Sequence, residues 1–172
     1  MIKILILAVP LLLLNNTPLM ADNEFYLKID LLYSEASKDS NSQRHLVTME
    51  GKNASYEYIY SGFPDGKKES MARTLNSEEF FQIIKYIKNE KVNTSIIENK
   101  PQTANGPKRT VHLSLFLTLD GQTVESEISG ILEIFRGDGK IEGVTIENQE
   151  YIDDIQSFIQ RLKDTLLENI TN

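Results

Sequence analysis

The chain offers few residues for chemistry near neutral pH. It has two histidines, His45 and His112, and no cysteine. Histidine is the side chain whose ordinary pKa lies in that range. His45 sits at the edge of a polar stretch. His112 lies among alternating apolar residues. Neither has a second His four residues away, the spacing that places two zinc ligands on one helix face. Each therefore reads as a solvent-facing or hydrogen-bonding histidine. The lack of Cys excludes thiol catalysis and disulfide chemistry.

Serine and carboxylate patterns are equally spare. The chain contains no Gly-x-Ser-x-Gly elbow and no Ser-x-x-Lys pattern. Ser129 precedes Gly130 and reads as a strand end, so a Ser/His/Asp set would have to assemble from distant positions. Glu78-Glu79 and Asp153-Asp154 fall in or near the first turns of helices, where the helix dipole favours negative charge. Glu125 and Glu127 share a strand face, and a glycosidase-like use of them would need a cleft and one raised pKa. Asp65-Gly66-Lys67 and Asp138-Gly139-Lys140 are single acids in turns, without the alternating ligands of a calcium loop. The glycines are scattered at turns and form no phosphate-binding loop. These patterns assign no catalytic residue, metal ligand or cofactor.

One candidate recognition feature stands out. Tyr56, Tyr58 and Tyr60 alternate along one segment and so project from one face of a strand. Tyrosines give a large contact area with polar tips at low entropic cost, which suits protein or glycan recognition. An open ladder would be rimmed by Arg73, Lys67 and Lys68. The alternative is half-buried packing beneath a helix, with the hydroxyls reaching solvent. The Asn-x-Ser/Thr triplets at Asn53, Asn93 and Asn169 occur readily by chance and carry no weight.

Periodicity sets the elements that must position these residues. Phe25, Leu27, Ile29, Leu31 and Tyr33 alternate as a half-buried strand, and residues 34–44 read as a polar loop. Short strands follow over Leu46 to Glu50, Tyr56 to Ser61 and Met71 to Leu75. Asn76 and Glu79 have capping-box spacing, and Leu75 and Phe80 have that of a hydrophobic staple. Phe80, Ile83, Ile84 and Ile87 then form the stripe of a helix fading near Asn89. Asn99 to Lys108 has linker composition. Val111 to Leu119 alternates strongly, Asp120-Gly121 makes a two-residue hairpin turn, and Thr123 to Ser129 returns. Strands are expected over Leu132 to Arg136 and Ile141 to Ile146. A final helix from about Asn148 to about Glu168 carries Tyr151, Ile155, Phe158, Leu162 and Leu166.

The expected fold is α+β: antiparallel meanders with two helices packed on the sheet. The two helix entrances match in spacing. Thr74-Leu75 leads to Glu79-Phe80, and Thr145-Ile146 leads to Glu150-Tyr151. This suggests a tandem duplication with halves 22–98 and 109–172 joined by the 99–108 linker. The competing explanation is that strand-to-helix junctions generally use this chemistry.

The first residues suggest an address. Lys3 precedes an apolar run from Ile4 to Leu14, and Leu19-Met20-Ala21 stands before Asp22. A basic start, a short apolar middle and a small final residue describe a secretory signal peptide over residues 1–21, cut after Ala21. The run is shorter than the ~20 residues of a bilayer span, and the alternative is an uncleaved anchor. The remaining 22–172 is expected to be one α+β domain. Removing Lys3 leaves 17 basic against 25 acidic residues, a net charge of −8. That balance disfavours nucleic acid and anionic membranes as partners. It fits a protein or envelope component, including a basic one. The expectation is an exported, periplasmic or secreted, non-catalytic binding protein of inhibitor or immunity type. A hydrolase of envelope polymers with a dispersed site and a structural envelope component are the alternatives.

Overall fold

Apolar residues at every second position draw most of the chain into a single sheet. A computed structural model describes residues 25–36, 41–62, 65–99, 106–144 and 146–168. The expected signal segment and its cut after Ala21 lie outside them. In chain order the strands are β1 (Tyr26–Ala36), β2 (Asn41–Glu50), β3 (Asn53–Ser61), β4 (Lys67–Thr74), β5 (Ile97–Asn99), β6 (Lys108–Leu119), β7 (Gln122–Phe135) and β8 (Ile141–Gly143). The helices are α1 (Ser77–Asn89) and α2 (Gln149–Glu168), with a 3-10 turn at Lys91–Asn93. The strand order is β4-β3-β2-β1-β6-β7-β5, with β8 also on β7. Among the described residues all pairings are antiparallel except β5 on β7. The architecture is α+β, mostly antiparallel sheet with two helices.

One face of the sheet carries the core. Leu27, Ile29 and Leu31 of β1 face Leu117, Leu115 and Leu113 of β6 and are fully or almost fully buried. Val47 and Met49 of β2 extend this layer. The apolar stripes of both helices belong to the same core, from Phe80 to Ile87 on α1 and from Tyr151 to Leu166 on α2. On the other face, charged and polar residues such as Asp30, Arg44 and Glu57 interleave with half-buried apolar ones. This is the alternation of an antiparallel sheet with one solvated side.

The helix entrances show how the sheet is tied to its cover. Asn76 accepts hydrogen bonds from the backbone N–H groups of Glu78 and Glu79, and Glu79 accepts the N–H of Asn76, completing the capping box. The same Glu79 receives two hydrogen bonds from Arg73 of β4, both at 2.8 Å. Arg73 also donates to the Thr165 carbonyl of α2. One guanidinium thus joins the edge strand, the start of one helix and the end of the other. At the second entrance the Asn148 amide donates to the buried Glu98 at 2.9 Å. Ser126 forms another buried node. It accepts from the Ile96 N–H and the Tyr151 hydroxyl and donates to the Thr94 carbonyl.

Turn chemistry follows the residues. Asp120 and Gly121 both have positive φ, as a type I′ turn requires. Gly130 is needed for space: a Cβ there would lie 2.9 Å from Ile146 Cδ1.

Several boundaries differ from the expected ones. Residues 34–36 and 41–44, expected in a loop, extend β1 and β2 as a paired hairpin. Asn99 ends β5 and Lys108 begins β6, so the expected linker is confined to fewer residues, of which 100–105 lie outside the described set. The two strands expected on either side of Gly130 are one fourteen-residue strand with a register shift opposite Arg109 and Thr110. In each case ladder pairing holds polar or glycine-containing sequence in strand form against its local preference.

Candidate functional site

Tyr56, Tyr58 and Tyr60 share a face, and it is the helix-covered one. In the β2–β3 register they oppose Val47, His45 and Gln43. Tyr56 is 2% exposed, whereas Tyr58 and Tyr60 are half-buried. Of the cations expected to rim an open ladder, Arg73 is held by Glu79, Lys67 pairs with Glu69 and Lys68 with Glu57.

The ladder meets His45 across the hairpin. The two-residue Gly51-Lys52 turn sets a register that places His45 directly opposite Tyr58, with ring centroids 5.1 Å apart. His45 Nδ1 and the Tyr56 hydroxyl are 3.1 Å apart. From α2, Lys163 reaches over the Tyr56 ring and pairs with Glu69 of β4 at 3.5 Å. Burial, aided by the Lys163 charge, lowers the His45 pKa and favours neutral imidazole. Burial pushes the Tyr56 phenol up to about 12, so it stays protonated.

Between α2 and this part of the sheet lies a cleft of about 330 Å³ lined by Leu31, His45, Tyr56, Gln156, Ser157, Ile159 and Gln160. Leu31, Tyr56 and Ile159 supply a buried, mainly apolar floor. Gln156 and Gln160 are four residues apart and thus neighbours on one helix face. Gln160 donates to Asp164 at 2.7 Å, which steadies its carboxamide. Tyr33, whose phenol is pushed up to about 12, chiefly by burial and then by the Asp153 charge, lies near Gln156. The cleft joins neutral donors and acceptors to an apolar base.

The other chemistry-bearing residues lie on the opposite face. His112 Nδ1 is 2.8 Å from Ser129 Oγ, a pair set by the β6–β7 register. Asp30 is near enough to feel the His112 charge, but both of its oxygens accept hydrogen bonds from Arg44, at 2.9 and 2.5 Å. The Arg44 hydrogen bond holds the Asp30 carboxyl below the usual carboxylate range. Asp30 is therefore committed to Arg44 rather than to orienting His112. Glu125 and Glu127 share a shallower depression of about 220 Å³ with Ile97, Ser114 and Phe116. Among the described residues, no cluster of three or more His, Asp or Glu side chains is arranged to hold a metal ion. No described helix is long and apolar enough to cross a membrane.

Sequence reasoning singled out Tyr56, Tyr58 and Tyr60 but missed His45 as their partner, and Gln156 and Gln160 as the opposite wall. Counting outward from the Gly51-Lys52 turn pairs His45 with Tyr58. Nothing in the sequence distinguishes the two glutamines from the solvated side of an amphipathic helix. No family model matches the chain, and no curated protein matches it either.

Proposed function

We propose that this chain is a non-catalytic binding protein, exported through residues 1–21. Its recognition surface is the cleft between α2 and the sheet, floored in part by buried Tyr56, together with the half-buried Tyr58 and Tyr60 of the same ladder. The observation carrying this reading is the cleft itself: an apolar floor bordered by His45, Gln156 and Gln160. Concave sites with an apolar base and a few placed polar groups are the common form of a binding pocket. The half-buried Tyr58 and Tyr60 extend that surface toward the β4 edge. The acidic balance of the chain supports a basic protein, such as an enzyme to be inhibited, as the macromolecular partner. A tandem duplication also fits: β1 and β6 lie antiparallel at the centre, flanked by β2 and β7, and a helix follows each group of strands.

The test is retention of a partner from an envelope extract by the immobilised protein. Retention that falls with Tyr58→Ala and with Tyr60→Ala, while Phe81→Ala on exposed α1 surface leaves it intact, supports the reading. Retention indifferent to both tyrosines, or none at all, refutes it. N-terminal sequencing of the exported protein checks the address; a chain beginning at Asp22 is the expected result.

A further inference from the structure

The cleft between α2 and the β1–β3 floor has a definite chemical character. Its volume, about 330 Å³, lies near the lower end of the roughly 300–1,000 Å³ usual for small-molecule sites. At roughly 30 Å³ per water it has room for about eleven waters, enough for one ring-sized molecule. Leu31 and Ile159 provide an apolar base, and the polar groups around it are bifunctional. Each carboxamide of Gln156 and Gln160 donates and accepts, as do a neutral imidazole and a hydroxyl.

The residues that line the cleft bring no formal charge to it, since burial favours neutral His45. Lys163 and Lys67 both contact Glu69, and Arg109 pairs with Glu133 at 3.7 Å. A charged ligand entering the cleft would lose hydration without meeting a charged side chain among the residues that line it. A neutral molecule with hydroxyls on several ring carbons matches what the walls offer, since each hydroxyl also donates and accepts.

We propose that the cleft binds one uncharged sugar ring, held between the Gln156 and Gln160 carboxamides and the His45 imidazole over the Leu31–Ile159 base. This rests on the binding-protein reading and adds a ligand class to it. Burial favours the neutral form of His45, and with its Nδ1 engaged by the Tyr56 hydroxyl the imidazole presents Nε2, and the phenol its oxygen, on that wall.

The full chain is titrated with D-glucose, D-galactose, D-mannose and N-acetyl-D-glucosamine, followed by amide and side-chain NMR. D-glucuronate and D-glucosamine serve as charged controls. The expected result is saturable binding of at least one neutral sugar, with a Kd on the order of 1 mM and shifts at the Gln156 and Gln160 side-chain amides. Gln156→Ala and Gln160→Ala change exposed helix positions and should preserve the fold. Each should weaken binding roughly five- to tenfold, as expected for loss of a hydrogen bond or two. The proposal is overturned if no neutral sugar binds, if both variants bind like the parent, or if either charged sugar binds as tightly as the best neutral one. If it fails while Tyr58-dependent partner retention persists, only the ligand class is wrong. Loss of both results removes the binding-protein reading as well.

Discussion

Replacing Arg73 with Met removes a cation but keeps much of its apolar stem. Arg73 donates twice to Glu79 and once to the Thr165 carbonyl, and the paired side chains are only 20% and 16% exposed. Fully exposed pairs contribute ~0–1 kcal/mol. Removing one partner of a fully buried pair costs ~3–5 kcal/mol. At this partial exposure, with a carbonyl also losing its donor, the expected cost is about 2–3 kcal/mol. For a domain of this size that lowers Tm by roughly 5–10 °C. The reference is Arg44→Ala, whose side chain is 45% exposed in its pair with Asp30 and whose loss should cost ~0.5 kcal/mol. Urea denaturation with unchanged m-values reports both. High salt should erase most of the Arg44 contribution and leave most of that from Arg73. Equal costs for the two variants, or equal salt sensitivity, would refute the argument that burial makes Arg73 the tie between the sheet and both helices.

Gly130→Ala should cost ~1–3 kcal/mol by overpacking against buried Ile146; Ile146→Val, which removes the nearest carbon, should recover part of it in a double-mutant cycle. Ser126→Ala leaves the Ile96 N–H, the Thr94 carbonyl and the Tyr151 hydroxyl without their shared partner, so about 2–4 kcal/mol is expected, against about 1 kcal/mol for Tyr151→Phe. Both are read from urea midpoints. With the Tyr33 and Tyr56 pKa values raised to about 12 and those of Tyr86 and Tyr151 also raised, chiefly by burial, four of the seven tyrosines should ionise late in an absorbance titration. The stabilising effect of Tyr33 and Tyr56 is full below the unfolded value near 10 and is lost as pH rises through about 12. The His45 pKa is lowered from 6.5 by burial, so the unfolded chain takes up this proton first on acidification. Stability linked to His45 is therefore present above about pH 6.5 and lost as pH falls through the folded value; His45→Gln should flatten that part of the midpoint–pH curve.

The most legible parts of the fold were those governed by local chemistry. Asn76 and Glu79 marked the start of α1, Asp120-Gly121 fixed the β6–β7 hairpin, and the apolar stripe of α2 placed it on the core. The misplaced boundaries have non-local causes. Residues 41–44 look like loop because their polar side chains lie at the end of a hairpin, yet their backbone pairs with β1 and β3. Strand β5 has only three residues and exists because β7 offers it an edge. At the candidate site, turn register would have given His45–Tyr58 and His112–Ser129 from the sequence. The wall formed by Gln156 and Gln160 depends on how α2 crosses the sheet, an orientation set by tertiary packing that residue spacing does not encode.

The central pairing of β1 with β6 has a consequence for the order in which the chain becomes stable. The contact between Ser34 and Thr110 closes a loop of 76 residues. Chain synthesised in order can form the β1–β4 meander and α1 while one long side of β1 still lacks its neighbour. Such distant pairing slows folding. A chain arrested between α1 and β6 would present the eleven-residue β1 as an open edge, a template for pairing with other arrested chains. The period of greatest aggregation risk would therefore end only when β6 arrives, well after the first helix is complete.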